Sequence, residues 1–201
     1  MYIPEITYFA DVYGDSNTQV SDHMQQVAED TFKKDEIFRP MFIFFDSNKN
    51  KTATLTLRDV KSKADKNIAF VEACMLFPVL SSEYAYFIID DFVSTKNEVK
   101  PEDDPDKREA LIVISLIPNG AKALVSPYSR DKDDHFLHWD TPDTANYEPQ
   151  EIEETLLSII AHYISKDIQF STHNEFFDTL RQRGHELIIE ETFKPLVEYP
   201  I

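Results

Sequence analysis

The sequence predicts an α+β fold: one antiparallel sheet of about five to six strands with helices mostly on one face. Three patterns carry this reading. Apolar runs rich in strand formers alternate with short polar turns. Neighbouring runs lie too close in sequence for parallel crossovers, so they pair antiparallel. Between and after them lie windows with apolar residues at three- and four-residue spacing, the signature of a helical face.

Taken in order, residues 1–16 are rich in Tyr and Phe and read as a short strand or extended arm. Asn17 or Ser21 caps a helix whose face holds Val20, Met24, Val27, Ala28 and Phe32, ending near Asp35. Pro40 opens Met41–Phe45, apolar on both faces and so expected deep in the sheet. A polar tip, Asp46 to Lys51, joins it to a second strand in which Leu55 and Leu57 alternate with Thr54 and Thr56. That alternation predicts one solvated face. Asn67–Leu80 reads as a helix closed near Pro78. Strands follow over 84–92, 109–117 and 121–127, the last two joined through Pro118-Asn119-Gly120. Phe136–Trp139 reads as a short edge strand and Asp143–Pro149 as a linker. Pro149–Ser165 is an amphipathic helix, with Glu151, Glu153 and Glu154 in its first turns, where the helix dipole favours carboxylates. A last helix starts at Thr172 or Asn174 and stops at Gly184, before a final strand over Glu186–Glu190. The 201 residues form one domain, with residues 1–16 as the arm and 141–201 as a C-terminal helical portion.

Composition excludes several chemistries. Only three glycines occur, Gly14, Gly120 and Gly184, and neither GxGxxG nor GxxxxGK[ST] is present. Cys74 is the sole cysteine, set among Ala73, Met75 and Leu76, so it reads as a core residue and allows no intramolecular disulfide. No apolar run approaches ~18 residues, and the start Met-Tyr-Ile-Pro-Glu-Ile has neither a basic nor an apolar leader region. A cytoplasmic chain without membrane contact is the expectation. The net charge of −17, from 37 acidic and 20 basic residues, repels nucleic-acid phosphate and favours a partner with a basic surface.

The candidate chemistry is sparse. Asp46-Ser47-Asn48-Lys49-Asn50 imitates the start of a calcium loop, but Lys51 stands where Gly is required and Leu57 where Glu is required. His135 and His138 stand three apart on a predicted strand and so point to opposite faces, as do the adjacent Asp90 and Asp91. Neither pair converges on a metal, and no metal or cofactor is expected. The densest run of acids is the proline-punctuated loop that feeds the 109–117 strand. Its residues Glu102, Asp103, Asp104, Asp106, Arg108 and Glu109 are the candidate binding residues, read as exposed, with no catalytic residue assigned. Arg108 and Glu109 are also positioned to pair with Asp90 or Asp91 at the end of the neighbouring strand.

The order Arg39-Pro-Met-Phe-Ile-Phe-Phe, Thr-Leu-Thr-Leu, Tyr86-Phe-Ile-Ile-Asp-Asp-Phe and Pro101-Glu-Asp-Asp-Pro-Asp-Lys-Arg-Glu resembles a group of uncharacterised bacterial and phage proteins. These share a Pro-x-Phe hairpin and a Pro-Asp-Arg-x-Glu type of loop entering a strand. The resemblance covers residues 38 to 128. It differs at Lys107-Arg108, where the group has a single Arg. It implies the α+β fold and a prokaryotic or phage origin, and supplies no activity. The leading expectation is a soluble, non-catalytic interaction protein, phage-encoded on the strength of the resemblance, that binds a basic protein partner through an acidic surface. The alternatives are a metal-dependent hydrolase built on the acidic loop and a virion structural component. The sequence leaves the oligomeric state open.

Overall fold

The computed structural model describes Ile6, Phe9 and residues 17–34, 37–95, 99–117, 120–147 and 173–191. Helix α1 (Asn17–Phe32) precedes the hairpin β1 (Met41–Phe45) and β2 (Lys51–Thr56). Helices α2 (Lys63–Cys74) and α3 (Leu76–Val79) lead to β3 (Tyr84–Val93). A 3-10 turn, Pro101–Asp103, precedes β4 (Arg108–Ile117), β5 (Gly120–Arg130), β6 (Phe136–Trp139) and β7 (Asp143–Tyr147). Helix α4 (His173–Gln182) and β8 (Glu186–Ile189) follow.

All the pairings are antiparallel, in the order β6–β5–β4–β3–β1–β2–β8. β7 shares the outer edge of β5 with β6, pairing with residues 121–125 while β6 pairs with 128–130. The α+β reading therefore holds, with eight strands where about five to six were expected. The extra strands lie at the edges. One is β7, which occupies the segment expected to be a linker. Asp143, Thr144 and Asn146 gave that segment a polar look, but its backbone pairs fully with Ala121–Val125. The expected C-terminal portion 141–201 thus carries β7, α4 and β8 among its described residues. The expected helix over 149–165 lies outside them.

Alternation along β1 divides the core. Phe42 and Phe44 join Leu55, Leu57, Ala69, Ala73, Leu76, Leu80, Phe176 and Leu180, so α2, α3 and α4 cover this face. Met41, Ile43 and Phe45 join Met24, Val27, Ala28, Phe32, Tyr86 and Leu111 on the α1 face. Three of the four described helices thus share a face, as expected. Of the arm, Ile6 and Phe9 are buried in the α1-side core, where Phe9 stacks on Tyr86 with ring centroids 4.8 Å apart. The Phe9 N–H donates to the Lys49 carbonyl at 2.9 Å.

Local signals account for the ends of elements. α2 begins at Lys63, four residues before the predicted start, because the Ser62 hydroxyl accepts from the Asp65 N–H at 3.2 Å. At the other end of α4, Gly184 stops the helix at φ +94, a left-handed conformation that a side chain would strain. The β1–β2 tip is a polar turn: the Asp46 carboxylate accepts from the Asn50 N–H at 2.8 Å, and Lys49 takes a positive φ of 66.

One expectation about β2 fails. Thr54 and Thr56 were read as solvated, yet both are fully buried. They stand across from Ile43 and Met41, within the core under α1. Strand alternation reveals polarity, but a sheet covered on both faces has no wet side. The hydroxyls of Thr54, Thr56 and Ser115 are buried without a hydrogen-bond partner. An unmet buried hydroxyl costs about 1–3 kcal/mol. Thr54→Val keeps the β-branched shape and removes the hydroxyl. It should stabilise the protein by about 1 kcal/mol, read as a higher urea midpoint at unchanged slope.

Candidate functional site

The acidic loop is built around one buried carboxylate. Asp104 is only 2% exposed. Its Oδ2 accepts from the Ser94 hydroxyl at 2.7 Å, the Thr95 N–H at 2.8 Å and the Thr95 hydroxyl at 3.0 Å. Its Oδ1 accepts from the Asp106 N–H at 3.0 Å. Asp104 therefore staples the loop to the end of β3, and its expected place on the exposed surface is corrected. A carboxylate holding several donors is worth more to the fold than a solvated one. Glu102, Asp103 and Asp106 do stand exposed on the loop it fixes. The 3-10 turn beneath them closes through Asp103 N–H to the Lys100 carbonyl at 2.9 Å.

Arg108 and Glu109 do not pair with Asp90 or Asp91. In the β3–β4 register they lie opposite Val93 and Phe92, beyond the Asp pair, so their side chains reach later strands instead. Arg108 pairs with Asp140, which also accepts from the Ser129 hydroxyl at 3.3 Å. Glu109 accepts from Arg130 Nε at 2.7 Å. Asp91 pairs with Lys66 of α2 at 2.7 Å, while Asp90 accepts from the Tyr128 hydroxyl at 2.8 Å. The two aspartates thus point to opposite faces of the sheet, as their adjacency on a strand requires. Phe92, also exposed, lies under the Lys107 ammonium, 4.9 Å from the ring centroid.

Two charged networks escape a reading of the sequence. The first joins Asp90, Glu109, Tyr128 and Arg130 on the α1 face. The Tyr128 hydroxyl donates to Asp90 and accepts from Arg130 Nη2 at 3.3 Å. The Arg130 guanidinium lies over the rings of Phe32 (5.2 Å) and Tyr128 (5.3 Å). Phe136 and Trp139 complete an aromatic cluster, and Trp139 Nε1 donates to Glu29 of α1 at 3.2 Å. Burial, helped by the nearby Glu109 charge, lifts the Asp90 carboxyl to about 6, against the opposing Tyr128 bond. Burial and the neighbouring Asp90 also raise the Tyr128 phenol, so it stays a donor at all working pH. Burial alone would lower the Arg130 guanidinium, but its bonds to Glu109 and Tyr128 raise it.

The second network centres on Glu72, 5% exposed on α2. Its Oε2 meets His185 Nε2 at 2.8 Å, Arg183 bonds its Oε1, and Arg58 Nε lies 3.7 Å away. The Arg58 N–H donates to His185 Nδ1 at 3.3 Å, so Nε2 carries the imidazole proton and donates to Glu72. Burial would raise Glu72, but the His185 and Arg183 bonds outweigh it and hold the carboxyl below its usual range. Arg58 also bonds Asp65, which, with the Lys61 N–H, lowers that carboxyl to about 2. This network fastens α2 to the α4–β8 corner. Its one trace in the sequence is a Glu inside the apolar run Val71–Cys74.

The remaining candidates separate. His135 Nδ1 lies 3.5 Å from Asp131 and His138 Nε2 lies 3.4 Å from Asp140, so they hold different carboxylates. Among the described residues, no three His, Cys, Asp or Glu side chains gather in a metal-holding arrangement. Cys74 is buried, and burial pushes its thiol up to about 12, far from the thiolate a nucleophile needs. Among the described residues, no helix is long and apolar enough to cross a membrane. No family model, curated protein or solved structure matches the chain.

Two outcomes test this site. Asp90 has its folded-state value raised above the ordinary 3.8, so ionising it opposes folding. The stability it allows is complete below about 4 and is lost as pH rises through about 6. Asp90→Asn should therefore gain about 1–3 kcal/mol over the parent between pH 4 and pH 7, measured by denaturation at each pH. Glu72→Gln leaves two cations and an imidazole around a neutral amide. It should lose about 2–4 kcal/mol, read from the urea midpoint at neutral pH.

Proposed function

We propose that this chain is a non-catalytic interaction protein that binds a protein partner of basic surface through the acid-rich loop before β4. The observation that carries the reading is the Asp104 staple. It holds the loop at four donors and leaves Glu102, Asp103 and Asp106 exposed around it. A loop already ordered before encounter loses less entropy on binding. A net charge of −17 adds long-range attraction to any basic surface.

A hydrolase would need carboxylates that converge on a metal. In this loop the buried Asp104 is filled by protein donors, and Asp90 and Asp91 face apart. These features favour binding over catalysis. The resemblance to bacterial and phage proteins would put the partner in a bacterial cytoplasm, with host nucleic-acid-binding proteins the natural bearers of basic surface.

The test is capture from bacterial lysate, identification by mass spectrometry and kinetics on the purified partner. Glu102→Gln, Asp103→Asn and Asp106→Asn together should slow association about ten-fold at low salt while leaving dissociation nearly unchanged. Raising salt should slow the parent protein toward the variant. A complex indifferent to both changes would remove the loop from the interface.

A further inference from the structure

We propose that Arg130 is a proton-responsive clasp: its guanidinium is shared between Glu109 and, through the Tyr128 hydroxyl, Asp90, and this sharing sets how α1 docks on the sheet.

The geometry carries the argument. Three adjacent strands build the chain Asp90–Tyr128–Arg130–Glu109: β3 and β4 contribute one member each and β5 contributes two. The guanidinium at its centre forms a lid on the last aromatic of α1, lying 5.2 Å from the Phe32 ring. Phe32 in turn packs on Tyr128, Phe136 and Trp139 at centroid distances of 4.9, 6.0 and 6.5 Å. Any movement of the guanidinium is therefore felt by the C-terminal turn of α1.

The groups around Asp90 allow one cation to serve two acids. From β5 come Tyr128 and Arg130, from β4 comes Glu109, and Asp91 on β3 is turned to the far face. The β5–β6 turn adds Asp134, 3.8 Å from Arg130 Nε, whose backbone carbonyl accepts from Nη1 at 3.1 Å. On α1 the nearby acid is Glu29, held by Trp139 and Lys33. With Asp90 protonated, the guanidinium is held by Glu109 and the Asp134 side of the β5–β6 turn. When Asp90 ionises, a further anion competes for that cation and repels Glu109. The guanidinium is drawn along the Tyr128 hydroxyl toward β3, which loosens its hold over Phe32. The carboxyl's value of about 6 places this change in weakly acidic solution, within the range of biological compartments.

The protein contains one tryptophan, and it lies in this cluster, with its ring 5.5 Å from that of Tyr128. Its emission therefore reports the clasp without labelling. In the intact protein, Trp139 emission should follow a single proton transition near pH 6. Hydrogen exchange at Glu29–Phe32, corrected for the intrinsic rate, should speed up about three- to ten-fold across the same interval. Asp90→Asn, which removes the titrating group and keeps the acceptor for Tyr128, should abolish both changes. His135→Gln and His138→Gln should leave both intact. The proposal is overturned if the parent shows no transition, if the transition survives in Asp90→Asn, or if it disappears with either histidine.

Discussion

The fold depends on β1 being buried on both sides. Met41, Phe42, Ile43, Phe44 and Phe45 are all wholly removed from solvent. Each such side chain contributes about 1.5–3 kcal/mol only if a covering layer exists on its face. Two covers are therefore required at once. α2, α3 and α4 supply the cover over Phe42 and Phe44, and α1 with Phe9 lies over Met41, Ile43 and Phe45. The aromatic content follows from this need. Phe42 stacks on Phe87 at 4.5 Å while Phe9 stacks on Tyr86 on the reverse side, so flat rings fill both interlayer spaces.

The buried acids Glu72 and Asp104 and the half-buried Asp90 lie where this two-sided packing has to be fixed in register. Glu72 binds the α2 layer to the α4–β8 corner, Asp104 binds the loop to the end of β3, and Asp90 links β3 to β5 beneath α1. Apolar contacts at these junctions would tolerate sliding. A carboxylate surrounded by directed donors does not, because each lost bond leaves a buried charge exposed to low dielectric. The three sites differ in outcome. Donors outweigh the desolvation cost at Glu72 and lower it, whereas at Asp90 burial, helped by the nearby Glu109, outweighs the single Tyr128 hydroxyl and raises it.

Strand positions were legible because they depend on local pattern. The apolar run Met41–Phe45 and the alternation in Tyr84–Ile89 each declare themselves within a few residues. Gly184 declared the end of α4 in the same way. What stayed hidden was anything decided by a third layer. Thr54 and Thr56 look solvated until the α1 face is known to be covered. β7 looks like a linker until Ala121–Val125 offers it a free edge. Of the candidate site, the loop and the opposed directions of Asp90 and Asp91 were readable. Tyr128, Arg130 and His185 were not, since their partners lie on other strands and helices and no spacing announces them.

The same division bears on the excess negative charge. Acids at a surface repel one another, and a flexible loop rich in them would swell and average its field. Pro101 and Pro105 limit that swelling through the backbone, and Asp104 limits it through its donors. The loop thus uses one negative charge internally to hold its neighbours in fixed positions. A fixed array of charges gives direction as well as strength to an electric field, and under the proposed function that direction would discriminate between partners of similar net charge. In the proposed binding role, the buried carboxylate and the exposed ones would be one device, the first setting the geometry of the others.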